Sequence, residues 1–140
     1  MKKTIIFVTK YAVESLYSMQ ALLTGASNTE VDTEIIFNGA SVLAMTKQFY
    51  DKFPKSDSEN EYTKIIMDVW SNGEFPDWLK VMTVAKQAGR LKVYLCQPCI
   101  EIFQKKLGKL DLLDIVDGKV NGVEVFNKLK NEQDFLFVTV

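Results

Sequence analysis

The apolar run near the start of the chain limits its possible folds more than any other feature. Residues 4–9 read TIIFVT, with no alternation between apolar and polar positions. A strand with one face in water alternates, whereas a strand of a parallel sheet is covered on both faces and is apolar throughout. A second run of this kind, FLFVTV, occupies residues 135–140. The sequence therefore predicts buried strands with helices on both sides.

Between these two runs, helical spacing of apolar residues alternates with further strand-like runs. The sequence predicts strands over residues 31–37, 91–95 and 115–116, and helices over residues 13–23, 42–45, 62–71, 76–89, 98–107 and 123–129. Gly25 is predicted to end the first helix, and Asn38-Gly39 to form a turn. Five strands that alternate with helices predict an α/β fold, a three-layer α/β/α sandwich on a five-stranded, mainly parallel sheet.

The length of the chain, 140 residues, fits one domain with a single core. We predict that this domain spans residues 1–140 and contains an inserted loop and helix at about residues 50–74. Residues 51–61, DKFPKSDSENE, are charged and serine-rich and contain Pro54. Such a composition is typical of an exposed excursion.

Composition excludes several classes of function. Lys and Arg number 17 against 18 Asp and Glu, for a net charge of -1, and Arg90 is the only arginine. Without a basic face, nucleic-acid binding is not expected. No run approaches the roughly 18 apolar residues of a membrane span, and no signal-peptide pattern follows the first residues. We therefore predict a cytoplasmic protein without a membrane span.

The chain has no histidine, and its two cysteines are Cys96 and Cys99. Catalytic pairs that use histidine, and imidazole metal ligands, are therefore impossible within it. Two thiolates leave a zinc site short of ligands, and no glycine-rich phosphate loop is present. We predict neither a metal nor a cofactor.

The cysteines form a C-x-x-C motif, Cys96-Gln97-Pro98-Cys99, where a predicted strand meets a predicted helix. Carboxyl ends of parallel strands meet at one edge of the sheet, where α/β proteins bind ligands. The residues predicted at that edge are Thr9-Lys10, Asn38-Gly39, residues 96–99 and Asp117-Gly118. Pro98 suits a helix start, whose free N–H groups and dipole would lower the pKa of the Cys96 thiol. Cys96 is the predicted nucleophile, and Cys99 is either a second reactive thiol or a buried packing residue.

Several segments resemble the DsrE/DsrF-like family in their order and spacing. They are residues 4–9, Asn38-Gly39-Ala40-Ser41-Val42-Leu43, Ala85-Lys86-Gln87-Ala88-Gly89, Lys92-Val93-Tyr94-Leu95-Cys96, and the stretch from Asp114-Ile115-Val116-Asp117-Gly118 to Phe137. The resemblance covers nearly the whole chain except residues 50–74. It implies a flavodoxin-like variant of the sandwich.

The resemblance also implies sulfur handling. Family members with a cysteine at this strand-to-helix turn act as sulfur carriers or sulfurtransferases in sulfur oxidation and sulfur relay, commonly as homo-oligomers, and Cys96 matches that cysteine. Cys99 departs from the pattern, in which Ser or Thr is frequent, and this leaves a disulfide or resolving role open. We therefore predict a sulfur carrier or sulfurtransferase-like protein that accepts a persulfide sulfur on Cys96 and passes it to an acceptor thiol. The alternative is a non-enzymatic small-ligand-binding or redox-sensing module without sulfur transfer.

The predicted partners are sulfur donor and acceptor proteins or small thiols, together with further copies of the chain. Trp70, Phe75 and Trp78 lie close together in the sequence, beside the inserted segment. Aromatic clusters of this kind belong more often to a core or a subunit contact than to a ligand site. We predict that residues 62–82 help to form the interface of a homo-oligomer.

Overall fold

The computed structural model describes residues 3–53, 61–132 and 134–140, so residues 54–60 of the predicted excursion lie outside the described residues. The strands are β1 (Lys3–Val8), β2 (Asp32–Phe37), β3 (Leu91–Cys96), β4 (Gly118–Val120) and β5 (Phe135–Thr139). The helices are α1 (Val13–Asn28), α2 (Glu61–Ser71), α3 (Trp78–Gln87), α4 (Gln97–Leu107) and α5 (Gly122–Asn131), with a 3-10 helix at Gly39–Met45. No helix within these ranges is both long and apolar enough to cross a membrane.

The strands form one sheet in the order β4-β3-β2-β1-β5, and every neighbouring pair is parallel. The predicted α/β sandwich on a five-stranded parallel sheet is confirmed. In β1, which has a neighbour on each side, Ile5, Ile6 and Val8 are fully buried. In β5, which lies at an edge, Leu136 and Phe137 are 44% and 40% exposed. A continuous apolar run therefore occurs both in a central strand and in an edge strand of this sheet.

The helices are distributed unevenly over the two faces of the sheet. The main core lies on the face covered by α1, α3, α4 and the 3-10 helix, and includes Ile6, Leu16, Met19, Ile35, Phe37, Met82, Val93, Leu95 and Ile100. On the other face, α5 places Lys128 Nζ 2.9 Å from Oε1 of the buried Glu34 and 4.9 Å above the ring centre of Tyr94. Right-handed crossovers explain this division, because the connection from β4 to β5 crosses the sheet in the direction opposite to the others.

Three local predictions are wrong. Gly25 does not end α1, which continues to Asn28. The helix predicted from residue 76 begins at Trp78, where Asp77 Oδ1 accepts the N–H of Lys80 at 2.8 Å. Residues 115–116 do not form a strand, and β4 begins at Gly118 instead.

The later start of β4 moves Asp117 away from the predicted ligand edge. Asp117 precedes the amino end of β4, where its carboxylate accepts the N–H of Val93 at 2.8 Å and pairs with Lys86. Burial opposes the ionisation of Asp117, but these two partners outweigh it and hold the pKa of the carboxyl below its usual value. Asp117 therefore serves the fold and not the edge at which the strands end.

The aromatic cluster divides between core and surface. Trp78 is 4% exposed and belongs to the main core, and Trp70 packs partly buried against that core. Phe75 is 65% exposed. The core interpretation therefore holds for Trp78, and the outer part of the cluster is free to contact other molecules.

Candidate functional site

The two cysteines lie at the carboxyl edge of the sheet, where the helix layer divides. α4 follows β3 on one face and α5 follows β4 on the other, so a crevice opens between the starts of these helices. In open α/β sheets such a switch point is where ligands bind. Cys96 is the last residue of β3, and Cys99 lies in the first turn of α4. Both cysteines occupy the strand-to-helix position that the sequence predicts.

The two thiols are in direct contact. Both cysteines are free, and their Sγ atoms are 2.6 Å apart. A disulfide bond has a length of about 2.05 Å, so closure of the pair requires little movement. Pro98 lies between them in the first turn of α4, where its fixed backbone angle suits the helix. The geometry suits the making and breaking of a sulfur–sulfur bond at this position.

A turn after β2 contacts Cys99. The Gly39 N–H donates to Cys99 Sγ at 3.3 Å, and the Cys99 thiol points toward Asn38 Oδ1, also at 3.3 Å. Gly39 has a φ of 62°, and a Cβ there would lie 3.3 Å from the carbonyl oxygen of Thr9. Both the conformation and the space therefore favour glycine at this position. The sequence predicts the turn and its place at the edge, but not its contact with Cys99.

Ser41 holds this turn against the end of β1. Its hydroxyl accepts the N–H of Asn38 at 3.0 Å and donates to the carbonyl oxygen of Val8 at 2.7 Å. Ser41 is fully buried, so these bonds satisfy polar groups that water does not reach. Ser41 is therefore a positioning residue for Asn38 and Gly39, a role that no sequence signal indicates.

The surroundings of Cys96 disfavour its thiolate. Burial and the Cys99 side chain raise the pKa of Cys96 to about 11, although the backbone N–H of Cys99 acts in the opposite direction. The expectation that the helix start would lower this pKa is therefore wrong. Loss of solvation and the second sulfur outweigh the helix amides. Cys96 is a thiol at neutral pH, and its proton needs an acceptor when the sulfur attacks.

A cavity of about 120 Å³ lies beside Cys96, between the sheet and α5. Its apolar walls are the side chains of Phe7, Ile36, Val120, Val125 and Phe126. Asn38 and Asn121 contribute its polar groups, and among the residues that the structure describes no charged one lines it. The cavity combines residues from four strands and a helix, so no local sequence pattern could predict it.

A larger cavity of about 520 Å³ lies between α1 and α2, and Tyr17, Ile65 and Phe75 line it. Neither cysteine is part of its wall. Across residues 3–53, 61–132 and 134–140, no three His, Cys, Asp or Glu side chains are grouped so that they could hold a metal ion. The smaller cavity is therefore the one with reactive chemistry at its wall.

Comparison with known proteins identifies the fold. No protein-family model matches the sequence, and no curated protein is significantly similar to it in sequence. Among solved structures, the ychN protein from E. coli is similar, with a TM-score of 0.58, 19% sequence identity and 100% of both chains covered. Similarity at this level of identity concerns the fold and not the chemistry. The chain therefore has the α/β fold of the ychN protein.

Proposed function

We propose that the protein is a sulfur carrier or sulfurtransferase-like protein of the DsrE/DsrF-like family. Cys96 accepts sulfur as a persulfide and passes it to an acceptor thiol. The observation that carries the proposal is the contact of the Cys96 and Cys99 sulfurs, 2.6 Å apart at the switch point of the sheet. The resemblance of the sequence to that family supports the same function, and the ychN protein shares the α/β fold that the resemblance implies.

Loading begins when the Cys96 sulfur attacks the outer sulfur of a donor persulfide, R–S–SH. A bond forms between the Cys96 sulfur and the outer sulfur, the S–S bond of the donor breaks, and the donor leaves as the thiol R–SH. The step transfers one sulfur atom without net oxidation. The proton that Cys96 loses passes to the departing sulfur of the donor, directly or through water, which gives R–SH. The hydrogen bond from the Gly39 N–H to Cys99 Sγ holds this second sulfur beside Cys96.

Two routes of release follow from this arrangement. An external thiol can attack the outer sulfur, which regenerates the Cys96 thiol and gives a persulfide on the acceptor. Alternatively, the Cys99 thiol attacks the inner sulfur of the persulfide, which gives hydrogen sulfide and a disulfide between Cys96 and Cys99. The second route oxidises both thiols and reduces the transferred sulfur, so an external dithiol must then reduce the disulfide. We place the protein in the cytoplasm, where reducing conditions return such pairs to thiols.

Polysulfide treatment followed by mass spectrometry of proteolytic peptides tests this function. We expect one added sulfur atom on the peptide that contains Cys96, and no addition in Cys96→Ser. In Cys99→Ser we expect loading of Cys96 and a persulfide that persists, because the resolving thiol is lost. Circular dichroism of each variant checks that it is folded. Loading that is retained in Cys96→Ser would contradict the proposal.

One observation favours a second candidate, a redox-sensing module. The two thiols are free and their sulfurs are 2.6 Å apart, so the pair needs little movement to close as a disulfide. Such a module forms the disulfide under mild oxidation but takes up no sulfur from polysulfide. Mass spectra of Cys99→Ser separate the two functions, because the internal disulfide cannot form there: a sulfur carrier gains one sulfur atom on Cys96, whereas a redox sensor gains none.

A further inference from the structure

The cavity beside Cys96 points to the class of molecule that donates sulfur. We propose that Cys96 takes its sulfur from a small alkyl hydropersulfide whose R group carries no charge and enters this cavity, and not from a macromolecular donor or one with a charged R group. The inference rests on the proposed function, because it names the donor for the same thiol. The chemistry is the transfer written above, in which R is a short alkyl group and leaves as R–SH.

The volume of the cavity limits the size of R. The cavity holds about 120 Å³. An engineered apolar cavity of about 150 Å³ binds benzene, so this one accommodates a group of a few carbon and sulfur atoms. Because Cys96 forms part of the wall, the outer sulfur of such a donor reaches the thiol while its alkyl group lies among Val120, Val125 and Phe126. A tripeptide such as glutathione exceeds this volume, so most of it would remain outside the cavity.

The walls offer no ionic partner to a charged donor. Within the described part of the chain, every side chain that lines the cavity is apolar or neutral. Lys128 is on the same face of the sheet, but its ammonium group is paired with Glu34 at 2.9 Å and lies over the Tyr94 ring. An unpaired carboxylate or sulfonate in such a place is strongly disfavoured, because it loses its hydration without compensation.

The start of α5 borders the cavity, and a helix N-terminus attracts anions in general. In this helix, side chains of the protein itself supply a hydrogen-bond acceptor and a negative charge at the N-terminus. Asn121 Oδ1 accepts the N–H of Glu124 at 3.0 Å, and the Glu124 carboxylate lies in the first turn of the helix. This terminus therefore gives a charged donor no advantage over a neutral one.

Two valines on α5 provide a matched pair for a test. Val125 lines the cavity and is half-buried, whereas Val123 is 70% exposed and does not line it. Val125→Lys places a charge beside the donor, and Val123→Lys adds the same charge to the same helix outside the cavity. Neither residue belongs to the pair of reacting thiols.

The experiment compares ethyl hydropersulfide with glutathione hydropersulfide, both released in the assay from protected precursors. The two donors carry the same S–SH group and differ in size and charge. The initial rate of persulfide formation on Cys96 is measured for each by mass spectrometry, and each rate is divided by that of a free cysteine peptide. We expect a preference for the ethyl donor of about tenfold or more, as burial of two carbon atoms predicts. Val125→Lys should remove most of this preference, and Val123→Lys should retain it.

The outcomes separate the donor from the function. The donor assignment is overturned if the wild type loads from the ethyl and glutathione donors at the same corrected rate. It is also overturned if Val125→Lys and Val123→Lys show the same preference for the ethyl donor. Loading of Cys96 by either donor leaves the sulfur-carrier function intact. Failure of both donors, when polysulfide does load Cys96, overturns the donor assignment alone, and failure of polysulfide as well overturns both proposals. If Val125→Lys does not fold, Phe126→Ala serves instead, because Phe126 lines the cavity and is 74% exposed. Its removal opens the entrance and should accelerate loading from the glutathione donor, and an unchanged rate would overturn the assignment.

Discussion

The backbone amide of Gly39 donates a hydrogen bond to Cys99 Sγ at 3.3 Å and so joins the turn after β2 to the first turn of α4, 60 residues further along the chain. Parallel pairing of β2 with β3 aligns Phe37 with Leu95, immediately before the two segments that meet. The thiol of Cys99 faces Asn38 Oδ1 and Cys96 Sγ. The chemistry of the Cys99 sulfur should therefore depend on a turn that is remote in sequence.

Substitution of Gly39 tests this dependence. In Gly39→Ala, the positive φ and the approach of the new Cβ to the Thr9 carbonyl oxygen strain the turn and displace its N–H. We expect a loss of about 1 to 2 kcal/mol in the free energy of urea unfolding, together with slower sulfur loading of Cys96, because the same turn carries Asn38, which lines the cavity beside that residue.

Gly89→Ala is the matched control for this substitution. Gly89 also has a positive φ, 74°, but a Cβ there meets no atom within 4 Å. It should lose stability through backbone strain and load sulfur at the rate of the wild type. Equal loading rates in the two variants would show that the turn does not act on the thiols.

The contact between Cys96 and Cys99 predicts that the two thiols are oxidised as a unit. Titration of free thiols across a glutathione redox series should show both lost in one transition under mild oxidation. Cys99→Ser should leave the Cys96 thiol free or joined to glutathione. Two thiols that persist under oxidant, with Cys99→Ser loading and releasing sulfur like the wild type, would make Cys99 a packing residue.

The raised pKa of Cys96 predicts a distinct pH dependence. Alkylation of Cys96 by iodoacetamide should increase with pH up to a midpoint of about 11. In Cys99→Ser the midpoint should fall, because the second sulfur contributes to the shift. A wild-type midpoint at or below the ordinary value of 9.0 would contradict the described environment.

The same shift links the Cys96 thiol to stability. The folded chain holds this proton more tightly than the unfolded chain, so the stabilisation is complete below pH 9.0 and is lost as the pH rises toward about 11. Urea unfolding across this range should show a steeper decline for the wild type than for Cys96→Ser, which has no proton to lose there. Parallel curves would contradict the linkage.

Self-association remains a prediction, and the exposed apolar residues of α2 and the loop after it indicate where to test it. Tyr62, Ile65 and Phe75 are 70%, 55% and 65% exposed. If this surface is an interface between copies, Ile65→Lys should shift the mass by light scattering toward that of one chain, 16.0 kDa. Val123→Lys changes a residue on the opposite face of the sheet and should leave the mass unchanged. A wild-type mass of one chain at micromolar concentration would contradict the prediction.

The sequence by itself determined the fold class and the position of the two cysteines. Apolar runs and helical spacing reflect local periodicity, so they located β1, α2 and most of the other elements. The absence of histidine left the two cysteines as the candidate reactive residues. The position of Cys96 before Pro98 placed them where a strand meets a helix. These are properties of composition and of neighbours along the chain, which a sequence displays directly.

The tertiary structure decided everything that depends on which segments become neighbours. The order of the strands put β5 at an edge although its sequence pattern resembles that of β1, and it brought Gly39 to Cys99. It also formed the cavity beside Cys96 and reversed the expected shift in the pKa of that thiol. Burial and through-space contact control solvation, and solvation controls ionisation, so none of these properties could be read from spacing along the chain.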